Sequence, residues 1–420
     1  MSNPPTRLAR RLGTGDAIVI GLGSMIGASV FAAIGPAAAA AGSGLMIGLA
    51  VAGVVAFCNA TSSAQLAALY PASGGTYVYG RKRLGHLAGF CAGWGFVVGK
   101  SATLSVSALA FGAYAFPEYP RPAGIAAVVV VTAINLRGIT RTAAATRVTV
   151  TLVLIALGLV VAAAVGGGTA DADNLADWGE GGAGGILEAA GLLFFAFAGY
   201  ARIATLGEEI KDPARTIPRA IPAALGITLV VYAAVSATAL WAVGPEVLAN
   251  AAAPLAAATD AGAWNGLTPV VRVGAAIASA GALMALIAGV GRTTFAMASE
   301  GDLPRSLDKV HPTFKVPHYA EVAVAAVVIV LVALTDLRNV LGFSSFCVLF
   351  YYAVTNAAAW TLSATQRRWP RGLSGLGFIG CVTLAVTLPG ASVIVGLLVL
   401  AAGILIWRIR RAWPKSVTAE

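Results

Sequence analysis

The chain has few charged residues for its length. Of its 420 residues, 11% are charged and 58% are hydrophobic, whereas a typical globular domain is about 25% charged. The mean hydropathy is +0.83. This composition excludes an ordinary water-soluble domain. Apolar runs of about 20 residues recur along the sequence, and each is long enough to cross the ~30 Å hydrocarbon core of a bilayer.

Histidine and cysteine are also scarce, which limits the chemistry. The three histidines, His86, His311 and His318, fall at predicted helix ends or in loops, so they form no metal or acid–base cluster inside the apolar segments. The four cysteines all lie within apolar runs, where a disulfide framework is not expected. We therefore expect neither an enzyme nor a bound cofactor.

Acidic residues are the rarer charge, and the basic excess is unevenly distributed. The net charge is +10, and short basic clusters separate the apolar runs, as the positive-inside rule predicts for cytoplasmic loops. Such a pattern does not indicate a nucleic-acid partner. The clusters lie at 7–11, 81–83, 137–147, 211–219, 305–315, 367–371 and 408–415. The sequence predicts a multi-pass protein of the plasma membrane, embedded in lipid, with cytoplasmic tails at 1–13 and 412–420.

The apolar runs predict an all-α integral membrane protein with twelve transmembrane helices. Helix count and spacing divide residues 14–411 into two five-helix repeats of inverted orientation, at 14–166 and 185–362, followed by two further helices at 372–411. The predicted helices lie at 14–37, 42–69, 86–116, 122–137, 147–166, 185–210, 217–243, 268–297, 317–335, 338–362, 372–388 and 390–411.

The first predicted helix contains the run GSMIGASVF at residues 23–31. A continuous helix disfavours this composition, because each glycine costs about 1 kcal/mol relative to alanine in a helix interior. The run predicts a helix broken at membrane depth, where exposed backbone groups line a cavity. The alternative is close packing of small residues between helices. The sixth helix contains a second unusual run, FFAFAGY at 194–200, at the corresponding position of the other repeat.

Several motifs occur together and in order along the chain. They are the first-helix run at 23–31, the loop at 71–79, the sixth helix and its exit at 194–220, the segment 292–304, and the segment 351–356. In this order they resemble the motifs of the amino acid–polyamine–organocation superfamily. The resemblance implies a LeuT-like fold, with broken helices 1 and 6, and secondary transport of amino acids or related amines by alternating access.

The resemblance also implies a substrate site at the two breaks. The substrate carboxylate would be held by backbone N–H groups of the first helix, where the half-helix dipole favours an anion. The residues so implied are Ile26, Gly27, Ala28 and Ser29 in the first helix, and Phe195, Ala196, Phe197, Ala198 and Tyr200 in the sixth. Ser29 replaces the second glycine of the family pattern. Leu154 stands where some members have a coupling lysine in the fifth helix, so that device is not expected.

Some charged residues are predicted to lie within or near the helices. Lys100 is 14 residues beyond His86, or about 21 Å along a helix, which places it near the bilayer midplane. We consider two roles for Lys100: an amine whose protonation drives transport, and a structural lysine bound to backbone carbonyls. Arg202, Glu208 and Glu209 are candidates for an inner gate, with the glutamates pairing with Arg81 or Arg83.

The predicted pocket lacks carboxylates, with Glu188 the nearest acid, so the sequence favours a neutral amino acid carried with protons. The alternatives are an exchanger or exporter, one that carries cationic amino acids or polyamines, and a membrane sensor that does not transport.

Overall fold

The fold is taken from a computed structural model and is described for residues 12–70, 74–138, 143–176, 181–205 and 210–412. These residues form sixteen α-helices and, in these ranges, no β-strand. The helices are α1 Thr14–Met25, α2 Ala28–Ala41, α3 Leu45–Leu69, α4 Thr76–Arg83, α5 His86–Ala115, α6 Pro120–Leu136, α7 Ala143–Gly166, α8 Gly182–Phe197, α9 Ala201–Thr205, α10 Pro213–Asn250, α11 Pro254–Asp260, α12 Thr268–Ser299, α13 His318–Leu334, α14 Leu337–Trp360, α15 Arg371–Val386 and α16 Gly390–Ala412.

The first predicted helix is interrupted where its glycines predict. The helix α1 ends at Met25, and Ile26 has φ −83° and ψ 39°. Gly27 follows with φ −89° and ψ −136°, which is far from helical, and α2 begins at Ala28. The sixth predicted helix also changes form: α8 ends at Phe197, a 3₁₀ turn spans Ala198–Tyr200, and α9 begins at Ala201.

Two short helices, α4 and α11, were not expected. The sequence predicts a loop at residues 71–79, but α4 begins within this segment at Thr76. Before it, Gly74 and Gly75 have φ values of 123° and 54°, which glycine adopts without strain and which turn the chain into the new helix. The seventh predicted helix, 217–243, is longer in the structure, and Gly244 interrupts α10 with φ 72° and ψ 170°.

Eight described stretches are long and apolar enough to cross a membrane: Ala28–Leu69, His86–Ala115, Ala144–Gly166, Gly182–Ala204, Pro213–Asn250, Asn265–Ser299, Leu337–Trp360 and Gly390–Arg410. Four shorter apolar helices accompany them: Thr14–Met25, Pro120–Leu136, His318–Leu334 and Arg371–Val386. The multi-span, all-helical architecture is therefore confirmed. The count of twelve spans and the inverted repeat remain predictions.

The interior of the bundle surrounds the two interruptions. The helix α5 packs against α6, α12, α13 and α14, whereas α2 packs against α5, α8 and α10, and α1 packs against α7 and α10. Large apolar side chains cover the outside, among them Val230 at 70% and Leu398 at 63% exposure. Such an exterior matches hydrocarbon rather than water.

Candidate functional site

The two helix interruptions meet in the bundle interior. Gly199, in the 3₁₀ turn after α8, lies so close to the end of α1 that a Cβ there would be 2.2 Å from the Ser24 carbonyl oxygen and 2.6 Å from the Met25 nitrogen. Only glycine allows this backbone-to-backbone approach. The sequence predicted two breaks, and the structure brings them into direct contact.

Tyr232 of α10 connects the two interruptions. Its hydroxyl lies 2.5 Å from the Met25 carbonyl oxygen and 3.0 Å from the Ala196 carbonyl oxygen, so it can donate to either. Tyr352 of α14 donates to the Ala198 carbonyl at 3.1 Å. Carbonyls freed at the ends of α1 and α8 are therefore bound by tyrosine hydroxyls from two other helices.

The backbone N–H groups at the N-terminus of α2 differ from these carbonyls, because no side chain binds them. Gly27 is its N-cap residue, and no side chain caps this end. The first backbone N–H groups of a helix have no intrahelical acceptor, and they carry the positive end of the helix dipole. Gly27 itself packs against α12, where a Cβ would lie 3.3 Å from the Cβ of Ala282. The arrangement thus offers amide donors for an anion, while the neighbouring carbonyls already accept hydrogen bonds.

Aromatic rings enclose this point. The Phe197 ring lies 5.2 Å from that of Tyr232, the Tyr200 ring 5.1 Å from that of Tyr352, and the Phe194 ring meets Tyr352 edge-on at 5.8 Å. Of the nine predicted site residues, eight are buried and Ser29 is half-buried. The structure therefore places the predicted residues together in a closed, tightly packed arrangement.

The sequence reasoning missed the tyrosines that bind the freed carbonyls. Tyr232 is a single aromatic hydroxyl within an apolar helix, and Tyr352 was seen only as part of the motif at 351–356. A further tyrosine, Tyr114 of α5, donates to the Phe31 carbonyl of α2 at 3.2 Å and accepts from the Leu255 nitrogen of α11 at 3.2 Å. A polar side chain in an apolar helix was the available signal, but its partners are set by packing.

A family profile described as amino acid permease matches residues 12–411. The chain belongs to the amino acid permease family. Among its relatives, an uncharacterised transporter of Mycobacterium tuberculosis is 57% identical over 407 residues, which cover 97% of this chain and 92% of the relative. The branched-chain amino acid permease BcaP of Bacillus subtilis is 26% identical over 433 residues, 95% and 92% of the two chains. The methylthioribose transporter of Bacillus subtilis is 29% identical over 334 residues, 74% and 72% of the two chains.

These matches show that the permease is a transporter of the superfamily that the motifs resembled, and not an enzyme. Together with the apolar helices they make it a multi-pass membrane protein.

Lys100 lies in the interior of the permease, as its position in the sequence predicts. It is 14 residues into α5, is 7% exposed, and has no hydrogen bond or ion pair with any described residue. One turn before it, the ring of Phe96 packs on that of Tyr351, with 5.2 Å between the ring centroids. One turn after it, the hydroxyl groups of Thr103 and Ser344 form a hydrogen bond of 2.8 Å. Because positions three or four apart share a helix face, Lys100 lies on the face that packs against α14.

The inner-gate candidates are only partly described. Arg202 lies in α9, and a Cβ at Gly289 of α12 would be 3.8 Å from its Nη1. Glu208 and Glu209 fall outside the described residues. Among the described residues, Arg81, one of the partners predicted for them, pairs with Glu300 at 2.9 Å, and Arg83 donates to the Thr361 carbonyl at 2.6 Å.

Arg81 belongs to a polar network that joins α4 to the end of α12. It donates to the Tyr77 hydroxyl at 2.7 Å, and Tyr77 donates to Asp302 at 2.7 Å. Burial, with the adjacent Asp302 carboxylate, raises the pKa of the Tyr77 phenol. Tyr77 therefore remains a hydrogen-bond donor at neutral pH.

The surroundings of two carboxylates, Glu188 and Glu321, are known only from the structure. Glu188, predicted as the acid nearest the site, pairs with Arg338 at 3.0 Å and so is already neutralised. Glu321 of α13 was not predicted; it is 2% exposed and packs against Gly291 of α12. It lies in the first turn of α13, where the helix dipole stabilises an acidic side chain.

Proposed function

We propose that the permease is a secondary active transporter that carries amino acids by alternating access. The observation that carries this proposal is the meeting of two helix interruptions, with Gly199 against the end of α1 and the Tyr232 hydroxyl touching carbonyls from both sides. A solute bound at this point contacts both halves of the bundle. Its binding energy can therefore favour one relative orientation of the two halves over another.

The N-terminus of α2 suits a substrate carboxylate, because its amides are not capped by a side chain. When the bundle opens, the small side chains of Ala28, Ala196 and Ala198 would face the substrate, with Ser29 as a hydroxyl partner and Phe195, Phe197 and Tyr200 as aromatic cover. The substrate we propose is a neutral amino acid, because the nearest predicted acid, Glu188, is paired with Arg338. The name of the BcaP relative, a branched-chain amino acid permease, agrees with this class.

Lys100 is proposed to couple transport to protons. A charged ammonium inside the bundle is costly unless a counter-charge approaches, and no described residue pairs with Lys100, so its charge can depend on the state of the bundle. A cycle in which the amine gains and loses a proton as the bundle opens to either side would link solute movement to the proton gradient. Arg202 is proposed to line the inner gate beside α12, with Glu208 and Glu209 following in the chain.

This mechanism requires the topology that the sequence predicts. We propose twelve spans in the plasma membrane, with both termini cytoplasmic, and the repeats 14–166 and 185–362 arranged in opposite orientations. The two interruptions then occupy equivalent positions in the two repeats, which is where transporters of this architecture bind their solute.

The test is uptake of radiolabelled amino acids into proteoliposomes that contain the purified permease, with and without an imposed proton gradient. We expect neutral amino acids to be accumulated when the outside is acidic. We also expect Lys100→Met to abolish this accumulation, while Lys309→Met, an exposed lysine of the α12–α13 loop, leaves it unchanged. Full proton-driven uptake by Lys100→Met would reject the coupling role.

Ligand binding is tested separately by thermal denaturation. A substrate present at 100 times its Kd stabilises the folded protein by about 2.7 kcal/mol. Stabilisation only by lysine, arginine or polyamines would reject the neutral class. Binding with counterflow but no accumulation would identify an exchanger, and binding without any flux would identify a sensor.

A further inference from the structure

A pocket on the face that carries the basic loops is separate from the candidate substrate site. It has a volume of about 420 Å³, within the roughly 300–1,000 Å³ range of small-molecule sites, and lies between the end of α3 and the α14–α15 loop. Its lining residues are Gln65, Ala68, Leu69, Thr365, Gln366, Arg367 and Arg368. Two arginines, two glutamines and one threonine therefore line one cavity.

The positive charge at this pocket is not neutralised by any residue that the structure describes. Neither Arg367 nor Arg368 forms an ion pair with a described residue, and no carboxylate occurs among the described lining residues. The Nε of Arg367 is buried and has no hydrogen-bond partner in the described part of the chain. A buried guanidinium N–H without an acceptor is costly, and an anion bound in the pocket would supply one.

The rim of the pocket adds further cations and holds the loop in place. Arg83 of α4 donates to Gln366 at 3.4 Å, and the backbone N–H of Arg368 donates to Gln65 at 3.3 Å. Arg371, at the start of α15, donates to the Trp360 carbonyl and stacks on the Trp360 ring at 5.1 Å. Among the described residues, each of these arginines binds only neutral partners. Their charges therefore remain available to an external anion.

The surroundings favour a lipid as the source of that anion. Leu69, on the pocket wall, is 37% exposed, and Trp360, close by, is 46% exposed. Tryptophan and arginine together are typical of the boundary between headgroups and hydrocarbon. Along α15, which begins beside the pocket, Leu376 and Ile379 are 51% and 63% exposed and form an apolar stripe. Acyl chains could lie along this stripe while the headgroup occupies the pocket.

We propose that this pocket binds the phosphate headgroup of an anionic phospholipid from the adjacent bilayer leaflet. Arg367 and Arg368 contact the phosphate, and Gln65, Gln366 and Thr365 bind the polar remainder of the headgroup. Bidentate guanidinium–phosphate pairing gives such a site geometric selectivity as well as charge. The bound lipid would join α3 to the α14–α15 loop. This proposal does not depend on the identity of the transported solute.

The test measures lipid binding by native mass spectrometry of the purified, delipidated permease. Phosphatidylglycerol is compared with phosphatidylcholine of the same acyl chains. We expect phosphatidylglycerol to bind at least tenfold more tightly. Equal affinity for the two lipids in the wild-type protein would overturn the proposal without the use of any variant.

Two double variants with the same change in charge localise the site. Arg367→Gln with Arg368→Gln should weaken phosphatidylglycerol binding by about ten- to thirty-fold, since each basic residue in contact with the bound anionic headgroup contributes about five-fold. The matched control, Arg305→Gln with Lys309→Gln, removes two charges from the α12–α13 loop and should change affinity less than two-fold. An equal loss in both double variants would reduce the effect to general surface charge and overturn the assigned site.

Glycerol phosphate distinguishes a lipid from a free phosphate compound. It is a soluble phosphomonoester without acyl chains, and we expect millimolar concentrations not to displace phosphatidylglycerol. Displacement at concentrations similar to that of the lipid would show that the pocket selects a soluble phosphate and would overturn the lipid assignment.

Discussion

The substitution Gly199→Ala tests the contact between the two helix interruptions directly. Gly199 does not have a positive φ, so its backbone conformation accepts alanine without strain. The added Cβ would lie 2.2 Å from the Ser24 carbonyl oxygen, whereas ordinary contact begins near 3.4 Å. The 3₁₀ turn after α8 and the end of α1 must therefore separate by about 1.2 Å.

The magnitude follows from the atoms in contact. The Cβ meets backbone atoms on both Ser24 and Met25, which cannot rotate away as the end of a flexible side chain would. Overpacking of this kind typically costs about 1–3 kcal/mol. The same separation moves the Met25 and Ala196 carbonyls apart, so the Tyr232 hydroxyl can no longer reach both. We expect at least a tenfold loss of transport, with the protein still folded.

The matched control is Gly226→Ala in α10. Gly226 is exposed, and a Cβ there has no heavy atom within 4 Å. Because alanine is favoured over glycine in a helix by about 1 kcal/mol, this variant should be neutral or slightly more stable. Thermal denaturation of both variants in detergent, and uptake by both in proteoliposomes, give the comparison. Wild-type stability and uptake in Gly199→Ala would refute the close approach.

Three further predictions concern tyrosine hydroxyls. Tyr232→Phe keeps the ring contacts but removes the one donor shared by the Met25 and Ala196 carbonyls, so the free energy of unfolding should fall by about 1–3 kcal/mol, measured by thermal denaturation. An unchanged melting temperature would contradict the bridging role. Tyr114→Phe removes the hydrogen-bonded link between Phe31 and Leu255, and we expect faster labelling of cysteines introduced nearby on α2. An unchanged labelling rate would show that this link does not restrict access to α2. The pKa of Tyr77 is raised above its ordinary value of 10.0 by burial, so the unfolded phenol loses its proton first. Stability should be full below pH 10 and fall above it, and the pH profile of Tyr77→Phe should be flatter there.

The helices and the first interruption could be predicted from the sequence because they depend on local composition. Runs of apolar residues of bilayer length fix where helices form, whatever their partners. Glycines at residues 23 and 27 weaken the first helix locally, and the structure shows it interrupted at Ile26 and Gly27. Proline and glycine signals also explain the start of α10 at Pro213, although the irregularity at Gly244 was not predicted.

The contacts between helices were decided only by the tertiary structure. Tyr232 is 207 residues from Met25 in the chain, yet its hydroxyl binds the Met25 carbonyl. The pocket beside Arg367 likewise combines the end of α3 with a loop about 300 residues later. The pattern of apolar residues in the sequence shows which residues are buried from water. The packing of whole helices determines which buried polar groups contact each other. Burial of an unpaired polar group is costly, so these partners are specific, and the energy that selects them acts between segments far apart in sequence.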